Sequence, residues 1–174
     1  LNIQTEKSRG WQKGEEKMAS EEQKKQNLIR MKNLMIEGMA KALWDLFGES
    51  ANATMIDVGK DILEIMENEM GLEVAGEDPK DVMTEIGRIF VDEFGYIESF
   101  SVEQNGNEIT LKVDKCIGWN LTQAILKTGV DVPFTCPIMN VGQASLMRLG
   151  KPAHKKIEPR PDVRGSAITF IIEQ

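Results

Sequence analysis

The stretch CPIMNVGQASLMRLGKP, residues 136–152, is a complete helical unit written between two breaks. Pro137 suits the first helical position, where its missing N–H costs nothing, and Gly150 stands where a helix of this length must stop. The spacing predicts a helix from Pro137 to Leu149. Gly142, Ala144 and Ser145 keep one of its sides shallow, so a cavity is expected between this helix and the hairpin sheet described next, lined by Trp119, Phe134, Met139 and Gln143. Two strands follow, near Ala153 to Ile157 and Ala167 to Glu173, joined by the turn-rich segment Pro159 to Gly165.

Upstream the apolar period is helical, then switches to two. Ser20 and Gln23 form a capping box. Behind it Leu28, Met31, Met35, Met39, Ala42 and Leu46 recur at three- and four-residue steps up to Gly48. A second helix is expected near Ala53 to Met70, with Met55, Val58, Ile62, Ile65 and Met66 on its apolar side. Asp78-Pro79 opens a third, whose buried face is Val82, Ile86, Ile89 and Phe90. Next comes alternation. An Asn105-Gly106 type I′ turn would pair Val102 with Ile109 and Phe100 with Leu111. A short helix from Asn120 to Thr128, capped by Asn120, precedes the loop to Cys136. The expectation is an α+β domain: an antiparallel sheet of about four strands, with N-terminal helices and two inserted helices packed on it. Residues 1–19, rich in Lys, Glu, Gln and Gly and without apolar periodicity apart from Trp11, read as a mobile arm or leader with Met18 as a possible start, and 20–174 as one domain.

Composition narrows the function classes. With 41% hydrophobic and 28% charged residues the chain is globular, and at 174 residues it can bury its own core. No apolar run approaches the ~20 residues of a membrane span, and no signal peptide pattern opens the chain, so the cytoplasm is the expected compartment. A net charge of −7, with the one dense basic group at Lys151 to Arg164 broken by Glu158 and Asp162, argues against nucleic acid as partner. Two cysteines are too few for a disulfide framework. Ten methionines favour an adaptable apolar space. No phosphate loop, dinucleotide fingerprint, zincin motif or nucleophile elbow occurs, and no cofactor is expected.

Cys136-Pro137, the small-residue helix, Gly150-Lys151-Pro152, Glu158, Gly165 and the strand Ile168 to Ile172 together resemble the C-terminal half of the 4-vinyl-reductase-like domain family. That family shares its fold with phenol-sensing regulators and vesicle-tethering subunits. The resemblance implies a stand-alone sensor or carrier of a small apolar or aromatic molecule held between sheet and helices. A protein-interaction subunit with a vestigial or lipid-filled cavity is the alternative. The family's zinc would draw on Cys136 and Glu158, but Ser166-Ala167 stand where a further cysteine belongs. Cys116 and His154 are the remaining metal candidates, and a closed tetrahedral site stays short of conventional ligands.

Read from the residues alone, the ligand-binding candidates are Trp119, Phe134, Cys136, Met139, Gln143 and Met147. Trp119 and Phe134 flank the junction of sheet and helices, and Met139, Gln143 and Met147 follow at four-residue steps. The plain alternative is core packing, since helical faces at this spacing usually turn inward. Gln143 needs a polar partner there, which a ligand would supply. Cys136 before a helix N-terminus would feel the dipole, giving a Cys-dependent enzyme as a third reading with His154 as its base. The near-heptad stripe on the first helix points to a homodimer.

Overall fold

The computed structural model describes residues 19–173. Most of the expected arm, with Trp11 and Met18, lies outside them. The chain falls into two units divided between Leu34 and Met35. The first contains the start of helix α1 (Glu21–Phe47), where the capping box forms as expected. Ser20 N donates to Gln23 Oε1 (2.8 Å) and Gln23 N donates to Ser20 Oγ (3.2 Å).

The second unit carries the rest of α1, then α2 (Ala51–Asn68), α3 (Pro79–Asp92), β1 (Ser99–Asn105) and β2 (Glu108–Asp114). It continues with α4 (Trp119–Lys127), α5 (Pro137–Arg148), β3 (Ala153–Arg160) and β4 (Gly165–Ile172). The four strands make one sheet in the order β1-β2-β4-β3, antiparallel throughout, and the class is α+β. Ile109, Leu111, Val113, Ile168 and Phe170 form its buried face beneath α3 and α5. A second apolar cluster joins Ala40, Ala51, Met55, Ile125, Val130 and Phe134, with Trp44 stacked on Phe134 at 5.9 Å between ring centroids.

Three local expectations are corrected. The hairpin pairs Val102 with Leu111 and Phe100 with Val113, two residues away from the expected register. Its loop is Gly106-Asn107, and only Gly106 has positive φ (63°), which suits a II′ turn with Gly first rather than I′. Because the slip is even, each side chain keeps its face. The apolar side of α2 is also rotated from the expected one: Met55, Gly59, Leu63 and Met66 are buried, whereas Val58 and Ile65 are exposed. The cause is Gly59, where α2 crosses α5 so closely that a Cβ would lie 2.2 Å from the Asn140 carbonyl oxygen. Glu67 then clamps the crossing, accepting two 2.7 Å bonds from Arg148 Nη1. Finally, α4 begins at Trp119 behind Gly118 with no side-chain cap, and Asn120 instead accepts from Arg164 Nη2 at 3.3 Å.

Candidate functional site

The site assembles where β2 ends and β4 begins. Gly165 opens β4 because any Cβ there would strike the Val113 carbonyl oxygen, so the two strands meet without side-chain intrusion. Lys115 N then donates to Val163 O (2.9 Å) and Cys116 N to Arg164 O (3.0 Å). Lys115 and Arg164 both sit at φ 50°, left-handed backbone that costs a non-glycine residue about 1 kcal/mol or more. Strain of this kind survives where surrounding bonds over-determine it. Between them opens a groove of about 570 Å³, lined by Glu98, Ser99, Cys116, Ile117, Asp162 and Val163 among others. Its charges are largely matched: Lys115 Nζ bonds Glu98 (2.6 Å) and Arg160 bonds Asp114 (2.7 Å). Ile117, 66% exposed, supplies an apolar lip.

Cys116 also belongs to a narrow slot of about 20 Å³ that Tyr96, Gly118, Trp119, Cys136 and Ile138 enclose. That volume is about the size of one water. Gly118 makes it possible, since a Cβ there would meet the Tyr96 hydroxyl at 2.3 Å. Tyr96 and Cys116 both line the slot, and burial pushes the phenol above its ordinary range. Both thiols are free. Burial raises Cys116, and it pushes Cys136 up to about 12 although backbone amides at the start of α5 pull the other way. Desolvation outweighs the helix terminus here, so the dipole does not yield the thiolate that a nucleophile requires. Beside Cys136, Lys155 is half-buried and lowered to about 8 by desolvation. Its ammonium donates to Asn140 Oδ1 (3.2 Å), and Asn140 Nδ2 in turn donates to Phe134 O (3.0 Å).

The residues expected to bind a ligand are distributed over several places. Trp119 and Cys136 meet in the slot. Phe134 is fully buried in the second cluster against Trp44, and Met139 in the main core. Gln143 finds its partner in the protein, with Nε2 donating to Ala153 O at 3.2 Å. Met147 faces a separate groove beside Lys60, Leu63 and Glu64. The space beside Gly142, expected to be open, is filled: a Cβ there would lie 2.7 Å from Phe170 and 3.3 Å from Met83. His154 is exposed on β3 next to Glu173, and Glu158 pairs with Lys156 at 2.9 Å. Neither reaches the thiols' slot, and among the described residues no three His, Cys, Asp or Glu side chains are grouped to hold a metal.

Sequence reasoning missed Tyr96, Lys115, Gly118, Asn140, Lys155 and Arg164. Gly118 beside Cys116 was the one visible hint, as a glycine marks close approach. The others acquire their setting only through contacts distant in sequence.

Residues 32–170 match the family described as "Putative rubredoxin C-terminal domain". The chain belongs to that family. This overturns the resemblance to the 4-vinyl-reductase-like family. The chain's two cysteines fall short of the four thiolates of a tetrahedral sulfur-ligated metal site. No curated protein matches the chain. Among solved structures it is similar to trafficking protein particle complex subunit 3 from Naegleria fowleri, covalently bound to palmitic acid. The TM-score is 0.50 at 12% identity, over 83% of this chain and 97% of that one. An Fe(II) unliganded H-NOX protein from K. algicida aligns at TM-score 0.45 and 11% identity, over 71% of this chain and 64% of that one. At these identities the first likeness concerns the fold alone, and the second is too slight to add to it. No helix among the described residues is long and apolar enough to cross a membrane.

Proposed function

We propose that this domain is a cytoplasmic binding module, a sensor or carrier, for a small apolar or aromatic molecule that enters beside Cys116. The carrying observation is the groove of about 570 Å³ that adjoins the Tyr96–Trp119–Cys136 slot. That volume lies within the ~300–1,000 Å³ usual for small-molecule sites. Ile117 and Val163 offer apolar surface, and Lys115 and Arg164 offer polar edges that would orient a substituent. Burial of apolar ligand area would supply the binding free energy. Catalysis by Cys136 is disfavoured by its raised pKa and by the distance of His154 from the slot's lining.

A lipid-filled interior is the weaker version of the interaction-subunit alternative. The trafficking subunit holds palmitic acid, whereas the slot here is water-sized. The interaction reading keeps support from the exposed apolar residues of α1.

Phenol is a suitable probe, with emission excited at the red edge of tryptophan absorption. Titration should change emission in the wild type, leave Trp119→Phe unresponsive, and bind Ile117→Asp about tenfold or more weakly. A wild-type response that persists unchanged in Trp119→Phe would place the probe elsewhere and remove the proposal's site.

A further inference from the structure

Five charged side chains line the groove at Cys116: Glu98, Asp114, Lys115, Asp162 and Arg164. Three are already matched, since Lys115 Nζ bonds Glu98 at 2.6 Å and Asp114 accepts from Arg160 at 2.7 Å. Asp162 and Arg164 enter no ion pair among the described residues, not even with each other, although only Val163 stands between them. Both are exposed, one of each sign.

Arg164 is an unusual choice for its place in the backbone. At φ 50° it occupies the left-handed region, which glycine or asparagine enters more readily. Its bonds to the fold come mainly from the main chain: N donates to Pro161 O (3.3 Å), and O accepts from Cys116 N (3.0 Å). Glycine would make both. The guanidinium adds a single 3.3 Å bond, from Nη2 to Asn120 Oδ1, and its other nitrogens have no partner among the described residues. Strained positions of this kind cluster at ligand clamps.

We infer that the groove takes a zwitterion, an α-amino acid with an apolar or aromatic side chain; this deepens the ligand reading above and rests on it. The α-carboxylate accepts from the Arg164 fork, and the α-ammonium donates to the Asp162 carboxylate. The Cα atoms of residues 162 and 164 are no more than about 7 Å apart, so both side chains can reach the two groups of one α-carbon. Between and opposite them, Val163 and the 66% exposed Ile117 cover the ligand's side chain and lose water on binding. The charges decide the class. A simple acid would answer Arg164 but set its carboxylate beside Asp162, and a simple amine would do the reverse. An uncharged molecule answers neither.

Calorimetric titration of the full chain with L-phenylalanine tests this against two truncated forms of the same molecule, 3-phenylpropanoate without the amine and 2-phenylethylamine without the carboxylate. Phenylalanine should bind about tenfold or more tightly than either. Arg164→Gln should weaken phenylalanine by about tenfold or more without weakening 2-phenylethylamine, and Asp162→Asn should do the same without weakening 3-phenylpropanoate. Both positions are exposed, so circular dichroism of the variants should stay that of the wild type. A truncated form that matches phenylalanine overturns the inference. So does a substitution that weakens phenylalanine and the corresponding truncated form alike. Phenol bound as tightly as phenylalanine, by a site that Trp119→Phe silences, overturns the amino-acid class and leaves the ligand reading standing. Binding of neither removes both.

Discussion

Helices α1 and α5 invert what their sequences suggest. The 27-residue α1 has a clean apolar stripe, yet Ala40 is its only buried residue. The 12-residue α5 mixes Asn140, Gly142, Gln143 and Ser145 into its apolar residues, yet everything from Ile138 to Leu146 is buried. Burial is set by how many sides of a helix find neighbours. Helix α5 is enclosed by α2, α3 and β3, so even its polar groups go inside and must be satisfied there. Asn140 is satisfied twice and Gln143 once, while Gln143 Oε1 and Ser145 Oγ have no partner among the described residues. Within the second unit α1 packs through Ala40, Leu43 and Trp44, while Met35, Met39 and Leu46 stay exposed.

The sharpest way to break this comparison is at two helical glycines, Gly59 of α2 where it meets α5 and Gly38 of α1. Gly59→Leu should abolish cooperative thermal unfolding or leave no folded protein, because α2 could no longer lie against the Asn140 backbone. Gly38 faces open space, so at dilution, where any dimer has dissociated, Gly38→Ala should raise stability by up to about 1 kcal/mol. Equal losses at the two positions would mean that α1 is as enclosed as α5.

A pair of methionines gives a smaller contrast. Met139→Ala should lower unfolding free energy by about 2–5 kcal/mol, the range for truncating a buried side chain. Met39→Ala should stay within about 0.5 kcal/mol at the same dilution, as exposed sites do. Urea denaturation of both variants measures the difference.

The smallest effect is pH-dependent. Lys155 falls from 10.5 to about 8 in the folded protein, so its contribution is present above 10.5 and lost as pH falls through 8. Cys136 rises from 9 to about 12, so its contribution is present below 9 and lost as pH rises towards 12. Stability should therefore climb between pH 8 and 9, then meet the opposing thiol above 9. Lys155→Met should lose the climb and be more stable than wild type at neutral pH. A variant with the same pH profile as wild type would show that Lys155 is no more desolvated than in the unfolded chain.

What could be read without the structure was whatever a few consecutive residues specify. The Ser20–Gln23 box and the Asp78-Pro79 start form as expected, with Asp78 Oδ1 accepting from Lys80 N (2.8 Å) and Asp81 N (3.0 Å). The hairpin was recognisable but not its register, since one turn residue shifts the pairing by two without changing any face. The ligand site was harder. Phe134, Met139 and Gln143 are close in sequence, but they separate into a cluster with Trp44, the main core and a bond to β3. The groove at Cys116 exists because β2 and β4 meet at Gly165, a contact across fifty residues that no local pattern announces.

By itself, then, the sequence determined the α+β class and, among the described residues, the five helices and four antiparallel strands, because caps, turn residues and hydrophobic period act over a turn or a strand. Only the tertiary structure decided which helix is enclosed and which keeps an apolar side in water. It alone closed the space beside Gly142 with Phe170, and it alone turned Cys136 from a helix-start thiol into a desolvated one. Those outcomes depend on steric fit and on loss of water, and both are properties of surfaces that meet only after the chain has folded.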